Sequence, residues 1–393
     1  MADVVVVVVG GGPAGAACAL GLARRGIAVT VVERQRFPRR KVCGEYLSGG
    51  AVAALDELGL RENVAAIARP LRGLRIVPPQ TEALEMPFPA PSLACERALL
   101  DELLLNAARD AGARVLRAHA EDLTFENGRV CGVELRDAHG EPSSLRARVV
   151  VGADGAGSLV ARKLALAKPA RGVRRFALGG HYRGFGELAS HVEMYVGMGA
   201  YFALNPLDGE RTNVMVVVRD RDLGAWSGAV DEGMRGKAAS LGRGHRSFAQ
   251  AERLGARVSF GPLAFDVSAV ARAGALLVGD AAGFLNPFTG QGVFLALRSA
   301  REAVDAIALS LTDVRRAEAA FENYAKQRER DFAVRKRLTQ VVGALVDVPP
   351  LARRAVSRLR ARPDLAAALL GAVAGTVAPE RALSPVSLGR LLA

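Results

Sequence analysis

The 393-residue chain has few aromatic residues, only 5% of the total. Platforms that stack nucleic-acid bases interleave aromatic with basic side chains. The net charge of +13 is therefore read as a generally basic surface, and nucleic acid is not expected as a partner. Cysteine is scarce as well. Cys18, Cys43, Cys95 and Cys131 lie far apart and form no CxxC or Cys/His cluster. That spacing excludes a disulfide framework and a structural zinc site, so no metal is expected. The natural compartment is then a reducing cytoplasm. Long apolar runs are missing too: Val4–Val9 ends at Gly10, and the patch 365–377 falls short of the roughly 18–20 residues a membrane span needs. Residues 1–9 lack a basic n-region and a small-residue cleavage site, so no signal peptide is expected. What remains is a globular balance of 50% hydrophobic and 24% charged residues, long enough for two or three domains.

The first forty residues carry the strongest pattern. Residues 3–9 form a continuous β-branched run, the mark of a fully buried parallel strand. Gly10-Gly11-Gly12-Pro13-Ala14-Gly15 follows as a G-x-G-x-x-G turn, then a helix to Arg25, a stop at Gly26 and a second strand from Ile27 to Val32. Glu33 ends that strand, with Arg34 beside it. An acid about 20 residues past the glycines is where a ribose-binding carboxylate belongs. Gly10 permits the tight turn, Gly12 lets backbone approach a pyrophosphate, and Gly15 lets helix and strand pack closely. The helix start, with Pro13 and Ala14, offers free N–H groups to phosphate oxygens. Glu33 suits ribose hydroxyls, which favours FAD or NAD over a 2′-phosphorylated cofactor.

Two later segments narrow the choice. Residues 149–155 read Val-Val-Val-Gly-Ala-Asp-Gly, a strand ending at Asp154 and Gly155. Residues 274–298 give a strand, the turn Gly279-Asp280, a loop through Pro287, the run Gly290-Gln291-Gly292 and a long helix. These segments resemble the Asp-Gly and Gly-Asp motifs of flavoprotein hydroxylases, flavin-dependent halogenases and geranylgeranyl reductases. The resemblance implies an α/β fold: a glutathione-reductase-like, Rossmann-type FAD domain, an inserted antiparallel β substrate domain and a C-terminal helical region. It also implies that Arg97 begins a helix and contacts FAD, that Asp280 holds ribitol hydroxyls, and that the helix from Gly292 directs its positive end at the flavin. Asp154 has two readings, a cofactor contact or a helix cap.

The segment Lys41-Val42-Cys43-Gly44-Glu45 resembles the Lys-x-Cys-Gly loop of geranylgeranyl reductases and some halogenases. That places Cys43 and Gly44 near the flavin, with Cys43 facing substrate or packed as a small hydrophobe. The halogenase Trp-x-Trp segment is missing, and the single tryptophan is Trp226. The reductase Tyr-x-Trp-x-Phe-Pro segment survives only as Tyr201 and Pro206, while Gly290-Gln291-Gly292 follows the hydroxylases. The first expectation is an FAD-dependent monooxygenase acting on a hydrophobic aromatic, polyketide or isoprenoid-type small molecule. The alternative is a prenyl-chain reductase, and a third class is a non-catalytic FAD-binding, membrane-associated protein. No second glycine fingerprint follows a strand, so NAD(P)H is expected as a transient reductant rather than the tenant of its own domain.

The FAD domain is expected from 1–75, 92–167 and 263–314, and the substrate domain from 76–91 and 168–262. Alternating runs at 175–182, 191–196, 200–204, 213–218 and 256–260 read as its strands. Tyr182, Tyr195, Tyr201, Phe202 and Met215 are candidates to line substrate. Cys43, His181 and Tyr201 are the candidate catalytic groups, with His191 and His245 the other histidines of the region. The tail 315–393 reads as an arginine-rich helical cap, with peripheral membrane contact as the second reading.

Overall fold

A computed structural model describes residues 3–78, 82–169, 173–185, 188–196, 200–224 and 250–392. Trp226 and His245 lie outside them.

The first sheet has a parallel centre in the order Arg114–Glu126 (β6), Val29–Glu33 (β2), Asp3–Val9 (β1), Pro142–Gly152 (β8) and Ala275–Leu277 (β17). Ala271–Arg272 (β16) pairs antiparallel at its edge. β6 and β8 run on past this centre, and Arg129–Asp137 (β7) joins their far halves as an antiparallel meander. Helices cover the parallel centre, so its strands are apolar throughout rather than alternating. Val6, Val7 and Val8 of β1 and Val150 and Val151 of β8 are wholly buried. Each such side chain contributes about 1.5–3 kcal/mol relative to exposure. The helix Pro13–Ala23 is rich in alanine and glycine because it lies between two others, Arg97–Asp110 and Gly292–Thr312.

The parallel strands all end at one edge, where ligands bind in open α/β sheets. The turns after β1, β8 and β17 converge there. A Cβ on Gly10 (φ +103°) would lie 2.6 Å from the Ala153 carbonyl oxygen, and one on Gly279 would lie 2.8 Å from the Ala14 Cβ.

The second sheet runs Glu252–Phe260 (β14), Arg175–Arg183 (β10), Thr212–Arg219 (β13), Tyr201–Pro206 (β12), His191–Tyr195 (β11), Arg69–Val77 (β4), Leu84–Ala94 (β5) and Tyr46–Leu47 (β3). It is antiparallel except where β4 meets β11. The five alternating runs of the sequence are its strands β10 to β14. The sheet takes more of the early chain than the expected 76–91: all of β4 and β5, and β3 as well. Ala167–Lys168 (β9) and Asp266–Val267 (β15) make a separate short ladder.

Strand alternation gives this sheet two faces. One gathers Leu178, Tyr182, Tyr195, Phe202, Leu204, Val214 and Val216. The other gathers Ala177, Met194, Tyr201, Met215 and Val217 against Leu338, Val342 and Val346 of the tail.

The tail begins with the helix Ala317–Asp347, about 46 Å long at 1.5 Å per residue. Tyr324 near its start donates to the Leu277 carbonyl in the first sheet, and Asp347 at its end pairs with Arg175 and Arg219 in the second. The helix thus straps the two sheets together. Later helices start at Pro349, Pro363, Pro379 and Pro385, where the missing N–H of proline costs nothing. Among the described residues, no helix is long and apolar enough to cross a membrane.

Candidate functional site

The glycine turn opens the helix Pro13–Ala23, whose first N–H groups receive no side-chain cap from Gly12. Behind the turn, Glu33 accepts from the Gly11 N–H at 2.7 Å and from the Gln35 N–H at 2.8 Å. Arg34 is exposed.

Arg39 ends 3.4 Å from the Cβ position of Gly12, and Lys41 and Arg97 lie within electrostatic reach of Arg39. Arg97 forms a bidentate pair with the fully buried Asp101 at 2.8 and 2.9 Å, and Arg39 reaches the same carboxylate at 3.3 Å. Burial opposes the Arg97 charge, but Asp101 and Cys43 hold it above the ordinary arginine range. Lys41 is lowered by burial and by the like charges of Arg97 and Arg39. Asp280 lies within electrostatic reach of Lys41 and Arg97. Its carboxylate receives no hydrogen bond among the described residues. The Asp280 turn is fixed by Ser299, whose hydroxyl accepts from the Gly279 N–H at 2.9 Å and donates to the Ala296 carbonyl.

The Pro287 loop is tied by Asn286, which accepts from the Phe288 N–H at 3.2 Å. Gly290 then takes a left-handed conformation (φ +64°), and a side chain there would strike the Tyr46 ring at 2.7 Å. Gly292 opens the long helix with nothing within 4 Å of its Cβ position and no side-chain cap. Gln291, just before it, is buried, accepts from Arg335 at 2.7 Å and leaves its Nε2 without a partner among the described residues. Burial lowers Arg335 to about 10, and its guanidinium lies over the Phe294 ring.

These residues fit an FAD. An opening at Gly12 beside an uncapped helix and three cations suits a pyrophosphate, and the unpartnered Asp280 carboxylate suits ribityl hydroxyls. A second uncapped helix start and the unpaired Gln291 amide suit the electron-rich edge of a flavin. Asp154 does different work. It accepts from the Ser158 hydroxyl and from the Leu159 and Val160 N–H groups, so it caps the short helix Leu159–Lys163. Gly155, next to it, has nothing within 4 Å of its Cβ position.

The Cys43–Glu45 loop is held from the second sheet by one cross-strand row: His181 on β10, Asn213 on β13 and Asn205 on β12. Asn213 donates to the Cys43 carbonyl at 2.8 Å. Asn205 donates to the Gly44 and Glu45 carbonyls at 3.0 and 2.8 Å. His181 Nε2 meets Glu45 Oε2 at 2.8 Å. Glu45 Oε1 accepts from the Arg97 N–H at 3.1 Å, and the Cys43 Sγ accepts from the Glu45 N–H at 3.3 Å. Glu45 itself sits at φ +56°. Neither Glu45 nor the two asparagines was singled out in the sequence. The available signal was weak: polar side chains at inward positions of apolar strands.

The five expected lining residues divide between the two faces. Tyr201 and Met215 lie on the loop-facing side, where Tyr201 contacts Phe288 edge-on at 5.0 Å and donates to Asn286 at 3.3 Å. Tyr182, Tyr195 and Phe202 are corrected to the opposite face, because their even or odd place along each strand turns them into the outer core. Among the described residues, the His191 ring bonds locally, to the Ala189 carbonyl.

A family model described as an FAD binding domain matches residues 3–339. The chain is 33% identical over 321 residues to a menaquinone reductase of Mycobacterium tuberculosis, covering 76% of this chain and 75% of that one. It is 31% identical over 337 residues to digeranylgeranylglycerophospholipid reductase 2 of Methanopyrus kandleri, covering 83% and 82%. A solved structure of the flavin-dependent brominase Bmp2 superposes with a TM-score of 0.83 over 99% of both chains at 22% identity, which shows a common fold.

Two glycines separate folding from cofactor binding. A Cβ on Gly15 would sit 1.9 Å from the Gly10 carbonyl oxygen, whereas one on Gly12 would meet only the end of Arg39 at 3.4 Å. Gly15→Ala is expected to yield unfolded or aggregated protein. Gly12→Ala should give a folded protein, by circular dichroism, that purifies without flavin.

Burial raises the Asp280 carboxyl above the usual carboxylate range, partly offset by Arg97, Lys41 and Arg328. A raised native pKa means the folded state holds this proton more tightly than the unfolded chain. Ionisation therefore costs stability as pH rises from the unfolded value of about 3.9 through the native one. Asp280→Asn is expected to stabilise the apoprotein at neutral pH, with the gain disappearing in acid, and to weaken FAD binding about ten- to hundredfold. Melting curves across that range and a flavin titration read both effects.

Proposed function

The chain belongs to the FAD-binding-domain family, and we propose that, as an FAD-dependent oxidoreductase, it reduces a carbon–carbon double bond in an isoprenoid chain. The observation that carries this reading is the Lys41–Glu45 loop, which resembles that of geranylgeranyl reductases and is pinned by His181, Asn213 and Asn205. The relatives at 33% and 31% identity support it, since menaquinone and digeranylgeranylglycerophospholipid both carry isoprenoid chains. They also speak against a binding protein without catalysis, because both are named as reductases.

Hydrogenating an alkene places a hydride on one carbon and a proton on the other, and reduced FAD supplies the hydride when bound. The proton comes from water, and the chain's own residues hold the cofactor and wall the site. Arg39, Lys41 and Arg97 would carry the pyrophosphate, and Asp280 the ribityl hydroxyls. The Gly292 helix start favours negative charge beside it. Tyr46 stacks on Phe88 at 5.3 Å, and with Tyr201 and Phe288 it provides an apolar, water-poor wall next to the Cys43 loop. NAD(P)H is the reductant in this reading, a transient visitor. Arg353 on the helix Pro349–Ala361 and Arg362 just after it are the arginines offered to anionic lipid where a hydrophobic substrate leaves a membrane.

A second reading, oxygenation of a hydrophobic aromatic or polyketide substrate, is favoured by Gln291 between its glycines, as in hydroxylases. One experiment separates the two. Reduced holoprotein is incubated without oxygen with a prenylated quinone or a geranylgeranyl lipid, and the products are read by mass spectrometry. A product richer by two hydrogens is expected. A product that forms only in air and carries one added oxygen would replace reduction with oxygenation.

A further inference from the structure

One arginine of the helix Ala317–Asp347, which straps the two sheets, carries a buried charge with no partner. Arg328 is only 4% exposed. Its Nε is buried without a hydrogen bond, and among the described residues its guanidinium makes no hydrogen bond and no ion pair. It lies over the Phe332 ring at 4.5 Å. A ring face offsets only part of the hydration that a buried cation loses. A guanidinium in that state calls for a negative group beside it.

Helix geometry says which group. Tyr324, Arg328 and Phe332 are spaced four residues apart, so they share one face of the strap. Tyr324 donates to the Leu277 carbonyl at 2.6 Å, at the end of β17. Phe332 lies against Gly283, where a Cβ would come 2.9 Å from its ring. Arg328 is about one turn from each, at the level of the turn Gly279–Ala282 between them. Three carboxylates are within its electrostatic reach: Glu302, Asp331 and Asp280. Arg298 already engages Glu302 at 2.9 Å, and Asp331 as well. Asp280 receives no hydrogen bond or ion pair among the described residues. A cation and a carboxylate, each without a partner, are thus neighbours at the cofactor turn.

We propose that Arg328 is a positioning residue of the cofactor site: from the strap helix it supplies the positive charge opposite the Asp280 carboxylate that receives the ribityl hydroxyls of FAD. Ionised, that carboxylate only accepts; protonated, it turns one oxygen into a donor. The other cations facing Asp280 are Lys41, from the loop before β3, and Arg97, which is already paired with Asp101. The helix Pro13–Ala23, packed on the turn, has no charged residue, and Gly292–Thr312 brings Ser299 to it. In Leu159–Lys163, Arg162 is held by the Gly157 carbonyl and Lys163 by Asp122. Arg328 is therefore the charge that ties flavin binding to the docked tail. The inference rests on FAD as the cofactor and is independent of the reaction.

The test is the pH dependence of FAD affinity, read by flavin fluorescence on the full chain after flavin removal. Loss of a nearby cation favours the protonated carboxyl, so binding should fail first in acid. Arg328→Met is expected to bind FAD as wild type does at about pH 8.5 and about tenfold more weakly than wild type at about pH 5.5. Arg328→Lys should follow wild type. In an Asp280→Asn background, Arg328→Met should no longer move the profile. The Arg328→Met apoprotein should melt at or above the wild-type temperature, because a buried unpaired charge is gone. An equal loss of affinity at every pH, no loss at any pH, or the same acid loss in the Asp280→Asn background would overturn the proposal. So would an Arg328→Met chain that no longer folds, since the charge would then be part of the core's own pairing. A wild-type chain that takes up no FAD would overturn the cofactor assignment and this role together.

Discussion

Both oxygens of the Glu45 carboxylate are used, and by different parts of the molecule. Oε1 receives the first N–H of the helix Arg97–Asp110, and Oε2 meets His181 on the second sheet. A hydrogen bond to a charged group is worth about 1.5–3 kcal/mol, more than an ordinary one. Here it fixes the point where the cofactor cradle and the second sheet touch. Glu45 pays in backbone strain for this, since a left-handed conformation is unfavourable for a side chain with a Cβ. The carbonyls of Cys43, Gly44 and Glu45 are taken by Asn213 and Asn205, so the loop cannot relax without breaking several bonds at once.

The cradle carries the opposite imbalance. Arg39, Lys41 and Arg97 crowd round Asp101, and Asp280 stands without a donor. In isolation such a site is unfavourable: like charges repel, and a half-buried carboxylate loses hydration. An anionic, hydroxyl-rich cofactor reverses both terms. The strain in the site is therefore matched to FAD, and the strap helix Ala317–Asp347 keeps the two sheets facing each other across it.

The Rossmann half of the fold was legible in the sequence because its turns are written in short, contiguous spacings. Gly10 to Glu33 and Gly279 to Gly292 each fall within a few dozen residues, and each spacing has a backbone reason. The strands of the second sheet were legible from alternation. Which way each strand faces was not. Tyr182 and His181 are neighbours in sequence, yet one belongs to the outer core and the other to the loop contact. Pairing across the sheets fixes that choice, and no local pattern encodes it. The meeting of Glu45 with His181 or of Asp347 with Arg175 joins residues 136 and 172 positions apart. Asp154 shows the converse. Its motif was legible, and its bonds go to the helix it precedes.

The claim on which the rest depends is that Glu45 couples the cradle to the second sheet. A double-mutant cycle with Glu45→Gln and His181→Asn, read as FAD affinity by flavin fluorescence, measures that coupling without any substrate. The expected result is strong non-additivity, with an interaction free energy of about 1 kcal/mol or more and a double variant no worse than the poorer single one. Losses that simply add, within about 0.3–0.5 kcal/mol, would mean that the two residues act apart and that the loop is held by other contacts.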